Sequence, residues 1–121
     1  MATQDKSVSI APYFKIHSGK MQEVKALCER FVEKSKTESG CLHYGFSFNS
    51  DVGFCREAYQ DADAALAHLQ NVGPLLAEFP KLVDILRVEV HGTEAELAKL
   101  RGGALADFKP EFFTLEYGFR R

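Results

Sequence analysis

Apolar and polar residues alternate with a period of two near the start of the chain, then shift to a spacing of three and four, and such shifts recur to its end. From Ser7 to Ile16, Val8, Ile10, Phe14 and Ile16 alternate with Ser7, Ser9, Tyr13 and Lys15, which predicts a half-buried strand. Pro12 places that strand at an edge or a bulge. Between Gly19 and Glu38, Met21, Val24, Leu27, Cys28, Phe31 and Val32 form the stripe of an amphipathic helix, with Ser18 and Gly40 as cap signals. Cys41 to Asn49 sets Leu42, Tyr44, Phe46 and Phe48 against His43, Gly45, Ser47 and Asn49, and Asn49-Ser50-Asp51 turns it into a second strand, Val52 to Tyr59. These two form a hairpin. Asp61 is an N-cap for a helix from Ala62 to Leu69. Gly73-Pro74 and Pro80 break the pattern and leave Leu75 to Leu82 as a short turn of helix and loop. Val83 to Val90 reads as a strand with Leu86, Val88 and Val90 on one face. Thr93-Glu94-Ala95-Glu96 is a capping box for a helix through Leu97 and Leu100, stopped at Gly102-Gly103, and Phe112 to Phe119 reads as a fifth strand.

The order β-α-β-β-α-β predicts a ferredoxin-like α+β fold: an antiparallel sheet with its helices on one face, extended here by a C-terminal helix and strand. The 121 residues fit one domain, 1–121, with a core at about 7–91 and an extension at 92–121. Helices on one face leave the other bare, and strands this rich in Phe and Tyr predict a homodimer packed sheet against sheet. Hydrophobic residues at 45% and charged residues at 26% fit a soluble globular chain, with Met1 to Lys6 as a loose lead-in. A net charge of −2 gives no electrostatic reason for nucleic-acid or anionic-membrane binding. With no signal-peptide pattern and no apolar run near the roughly 20 residues that span a bilayer, a cytoplasmic protein is expected. Cys28, Cys41 and Cys55 are odd in number and lack CxxC spacing, which predicts buried thiols rather than disulfides or a zinc site.

The densest chemistry lies between Cys55 and Leu69, where a carboxylate, a phenol and an imidazole span one strand-to-helix junction. Cys55, Glu57 and Tyr59 share a strand face, and a Glu inside a strand is disfavoured and costly to bury. Glu57 is therefore either an acid or base in an apolar pocket or a structural acceptor. His68, at the edge of the stripe of Ala62, Ala65 and Leu69, reaches a pocket rim or is a half-buried packing residue. Tyr59 and Tyr44 orient an aromatic ligand or are core residues with satisfied hydroxyls. His43 faces away from Tyr44, towards a dimer partner or solvent, while His17 and His91 lie near element ends at the surface. The four histidines show no metal-ligand spacing. The same element order occurs in RNA-recognition domains, but Arg56 stands where the third strand would carry a second stacking ring, and the charge is negative.

Four stretches taken together, Gly19 opening the first helix, Glu38-Ser39-Gly40-Cys41-Leu42-His43-Tyr44, Glu57-Ala58-Tyr59 with Asp61-Ala62-Asp63-Ala64, and Ala67-His68-Leu69, resemble the antibiotic biosynthesis monooxygenase-like family. The resemblance covers roughly Ser7 to Val90 and implies a dimeric α+β barrel with a pocket between each sheet and its helices. The family includes cofactor-free quinol and polyketide oxygenases, haem-degrading enzymes and a signal-sugar-phosphate isomerase. Haem degraders need an asparagine, a tryptophan and a histidine where this chain has Pro12, Tyr59 and the His-free run Asn71 to Leu82. The isomerase pattern is closer, but Gly73-Pro74-Leu75 lacks its further histidine. The resemblance thus implies a cofactor-independent monooxygenase acting on a quinol or other small aromatic. In that reading Glu57 or His68 takes the proton, Tyr59 and Tyr44 orient the ring, and Phe14 keeps water out. The alternatives are an isomerase of a small carbonyl or sugar phosphate, and a non-catalytic ligand-binding or structural dimer.

Overall fold

In the computed structural model, which describes residues 2–121, β1 (Val8–Ile16) leads through α1 (Met21–Ser35) to a hairpin of β2 (Cys41–Asn49) and β3 (Val52–Tyr59). Then follow α2 (Ala62–Asn71), α3 (Gly73–Glu78), β4 (Val83–Gly92), α4 (Glu94–Ala98) and β5 (Glu111–Thr114), with single turns of tighter helix at Phe79–Lys81 and Ala106–Phe108. The strands form one mixed sheet in the order β2-β3-β1-β4-β5, antiparallel except for the parallel β4·β5 pair. This is the ferredoxin-like arrangement with an added edge strand.

Two apolar clusters on the same sheet face make the core. Val8, Ile10, Val88 and Val90 pack with Ala62 and Ala65 of α2 and with Leu97, Leu100 and Leu105 of the C-terminal extension. Phe14, Ile16 and Val83 pack with Val24, Leu27 and Phe31 of α1 and with Leu75 and Phe79. Ile85 touches both clusters. Phe14 is fully buried edge-on against Phe79, ring centroids 4.8 Å apart, and its ring also sits against Gly53, where a Cβ would collide with it. The opposite sheet face carries Tyr13, Phe54, Arg87, Glu89, His91 and Phe113 and no helix.

Several boundaries and orientations differ from those the periodicity predicts. β1 is central, so Pro12 does not mark an edge. It sits instead where the β1·β3 ladder is interrupted, beside a bulge in the β1·β4 pairing. That bulge inserts Leu86, which turns out at 55% exposure while Ile85 enters the core face. A second bulge expels Leu42, 40% exposed, and Cys41 takes its place opposite Tyr59. Cys41 is accordingly half-buried, not buried like Cys28 and Cys55. One inserted residue inverts the alternation, which period-two reading cannot see when both neighbours are apolar. α1 starts at Met21 behind Lys20, without a side-chain cap from Ser18, and ends at Ser35. Thr93 makes no cap bond; the buried Glu96 instead accepts the Ala62 N–H at 2.9 Å, tying α4 to the start of α2. β5 stops at Thr114, leaving Tyr117 and Phe119 exposed.

Candidate active site

Local geometry brings three segments to one point. Asp61 caps α2 by accepting the Ala64 N–H at 2.8 Å, and two turns later His68 points inward. The loop entering β2 lies directly on α2, because Gly40 has no side chain: a Cβ there would stand 2.6 Å from the Ala64 Cβ. That contact carries Glu38 to His68. The period of β3 turns Cys55, Glu57 and Tyr59 inward, and Tyr44 of β2 stands opposite Glu57.

Glu57 is the centre of the cluster. The Tyr59 hydroxyl donates to Glu57 Oε1 at 2.6 Å, and His68 Nε2 lies 3.6 Å from the same oxygen. On its other side, His68 Nδ1 is 2.9 and 3.0 Å from the two oxygens of Glu38. The Asn71 amide donates to Glu38 Oε2 at 2.8 Å and to the Lys34 carbonyl at 3.1 Å. While Glu57 holds its proton, the Glu38 carboxyl on Nδ1 favours that nitrogen as the N–H donor, which leaves the Nε2 lone pair facing Glu57. The imidazole is also flanked by the rings of Tyr59 and Tyr44, with centroids 4.9 and 5.2 Å away.

Burial decides the protonation states. Loss of solvation pushes the Glu57 carboxyl up to about 7, against the lowering effect of the Tyr59 hydrogen bond. His68 is held below the usual imidazole range by the same desolvation, partly opposed by Glu38. Near neutrality Glu57 therefore titrates beside a neutral imidazole. Burial likewise pushes Cys28 up to about 12 and Cys41 to about 11, and raises the Tyr44 and Tyr59 phenols, so none of these is an ionised nucleophile at neutral pH.

A cleft of about 60 Å³ lies in the seam between the two core clusters. Its walls are Ile10, Pro12, Phe31, Phe79, Ile85 and Val88, with Leu105 and Phe108 from the C-terminal extension, and Glu57, His68, Tyr44 and Cys55 supply its polar atoms. Among the described residues no Lys or Arg lines it. Among the described residues no three His, Cys, Asp or Glu side chains converge as metal ligands. Of the residues singled out in the sequence, Glu57, His68 and Tyr44 reach this cleft. Tyr59 stands behind Glu57 as its hydrogen-bond donor, and Phe14 is locked in the α1 cluster away from the cleft. His68 is not at a rim but 2% exposed. Glu38 and Asn71 were not among the candidates; the signal for Glu38 is the Glu-x-Gly spacing that allows the loop to rest on α2.

A family model described as antibiotic biosynthesis monooxygenase matches residues 7–84. Among solved structures, MupZ from Pseudomonas fluorescens is 48% identical, over 96% of this chain and 95% of that one, with a TM-score of 0.89. SnoaB from Streptomyces nogalater, described as a cofactor-independent oxygenase, is 14% identical over 74% of this chain and 94% of its own, with a TM-score of 0.64. A conserved protein of Bacteroides thetaiotaomicron, described as a possible oxidoreductase, is 16% identical over 71% and 96%, with a TM-score of 0.65. At those identities the last two show a shared fold. No curated protein matches the chain at a significant level.

Proposed function

The chain belongs to the antibiotic biosynthesis monooxygenase family, and from that premise we propose that it is an acid–base enzyme for a small, uncharged, largely apolar substrate, with Glu57 as the group that exchanges the proton. One observation carries this reading: a carboxyl group buried to 6% exposure faces an apolar cleft lined by no Lys or Arg, where loss of solvation raises its pKa. His68 assists through its free Nε2, Tyr59 orients Glu57, and Tyr44 contacts the substrate. The cleft of about 60 Å³ is smaller than the roughly 150 Å³ that accommodates benzene, so binding parts the walls.

Cofactor-independent oxygenation is the reaction that SnoaB supports by its shared fold. Glu57 in its ionised form removes a proton from a dihydroxyaromatic, and the anion reduces oxygen directly. A second reading, proton transfer without oxygen as in an isomerisation, is favoured by the neutral form of Glu57 beside the Tyr59 hydroxyl, which is an acid rather than a base. A phosphate-bearing substrate fits poorly, because no cation lines the cleft. The wider assembly is part of the same proposal: a homodimer joined through the helix-free sheet face, with residues 1–121 as one domain.

Oxygen uptake by chelator-treated protein, measured against a panel of hydroquinones and phenols with autoxidation subtracted, tests the reaction. The expected result is uptake that Glu57→Gln reduces about 10²-fold or more. Conversion of a substrate without uptake selects the second reading. Equal turnover by the two proteins contradicts the role of Glu57.

A further inference from the structure

The buried cluster has two ends. At the inner end, Glu57 meets an apolar cleft, and Tyr59 behind it is fully buried. At the outer end, the Glu38 side chain is 11% exposed and lines a second groove with Val32, Ser35, Lys36, Cys41 and His43. Tyr44 borders both spaces and is the wall between them.

The outer groove has a property that the cleft lacks. Ser35 Oγ and His43 Nδ1, both buried and both on residues that line it, have no protein partner for their hydrogen bonds. The Glu38 carboxyl, 11% exposed in this open groove, is the member of the cluster that solvent reaches. We propose that Glu57 exchanges its proton with solvent through His68 and Glu38 into this groove, so that the apolar cleft stays dry while the site resets. The inference rests on reading Glu57 as the proton-transfer group.

The outer step runs between atoms already in hydrogen-bond contact, and the inner step follows once His68 Nε2 closes on Glu57 Oε1 from 3.6 Å. In the outward direction the Glu57 O–H breaks as an N–H forms at His68 Nε2, 3.6 Å away. The Nδ1–H then breaks as an O–H forms on Glu38, 2.9 Å away, and groove water takes that proton. The inward direction reverses these steps. The imidazole leaves as the Nε2–H tautomer, now donating to ionised Glu57, so the path writes a signature on the ring. The titratable and charged groups around it are Cys55, Glu57 and Tyr59 of β3, Cys41 and Tyr44 of β2, Glu38 of the loop, and Lys34 of α1, which bonds the Asn71 carbonyl at 3.3 Å.

Nitrogen-15 NMR of the histidines, together with carbon-13 NMR of the glutamate carboxyls, tests the path in the unmodified protein. The expected result is that His68 moves from the Nδ1–H to the Nε2–H tautomer over the same pH range in which Glu57 ionises. A ring that keeps Nδ1–H while Glu57 ionises overturns the path and leaves the role of Glu57 intact; a Glu57 with an ordinary titration instead overturns the functional reading. Glu38→Gln keeps an acceptor for Nδ1 but cannot carry the proton. It is expected to slow exchange at Glu57 by about 10²-fold, seen as separate signals for the two carboxyl forms in place of one averaged signal. Averaging unchanged in that variant contradicts the path. If the variant does not fold, the tautomer measurement decides alone.

Discussion

Glu57 makes the stability of the protein depend on pH. Its folded-state pKa is raised from 4.5 to about 7, so the folded chain holds a proton that the unfolded chain has lost between those values. The associated stability is fully present below about 4.5 and is lost as pH rises through about 7. His68, lowered in the folded state, acts in the opposite sense below its ordinary range, so the loss is attributed to Glu57 by substitution. Glu57→Gln, which keeps an acceptor for Tyr59, is expected to unfold at higher urea than the parent at pH 8 but not at pH 4.5, by of order 1–3 kcal/mol. An advantage independent of pH would contradict the assignment. Tyr59→Phe removes the hydrogen bond that favours ionisation and is expected to move the Glu57 titration above 7, as read by carboxyl NMR. Glu57 and His68 were legible in the sequence because a charge inside a strand and a histidine on an apolar stripe both require a partner. Tyr59 and Phe14 share the same inward periodicity, and period alone does not say which inward residue meets a cleft and which meets another side chain.

At the scale of elements, glycine determines how close the segments come. Gly40→Ala is expected to push the β2 loop off α2, destabilise the fold by about 1–3 kcal/mol in urea denaturation, and loosen the Glu38–His68 contact enough to shift the His68 Nδ1–H signal. A stable variant with that signal unchanged would contradict this role of Gly40. The strands and the two long helices were legible from their periods, and so was the Asp61 cap. The bulges at Leu42 and Leu86 were not: each has an apolar neighbour, Cys41 or Ile85, able to fill the same inward position. The partner of Glu96 was hidden for a different reason. Its bond to Ala62 joins segments 34 residues apart, whereas a capping box is a local pattern.

At the scale of the molecule, the sheet has one covered face and one bare one. The bare face carries Tyr13 and Phe54, with ring centroids 4.7 Å apart, and Phe113 stacked on His91. The proposed homodimer predicts a two-chain mass in sedimentation at micromolar concentration, and a one-chain mass with unchanged circular dichroism for Phe54→Asp. A monomeric parent would contradict it. The C-terminal extension places Leu97, Leu100 and Leu105 in the core and Leu105 and Phe108 in the cleft wall, so the cleft is completed by residues beyond the stretch that the family model matches. No helix among the described residues is long and apolar enough to cross a membrane. In the proposed function Glu57 is the buried carboxyl that stays ready to exchange a proton near neutral pH. The most direct measurement is a carbon-13 NMR titration of the glutamate side chains in the unmodified protein, with Glu57→Gln to assign the signal. The expected result is one glutamate that titrates near 7 and vanishes in the variant; a set in which every glutamate titrates near its ordinary value of about 4.3 would contradict the role of Glu57.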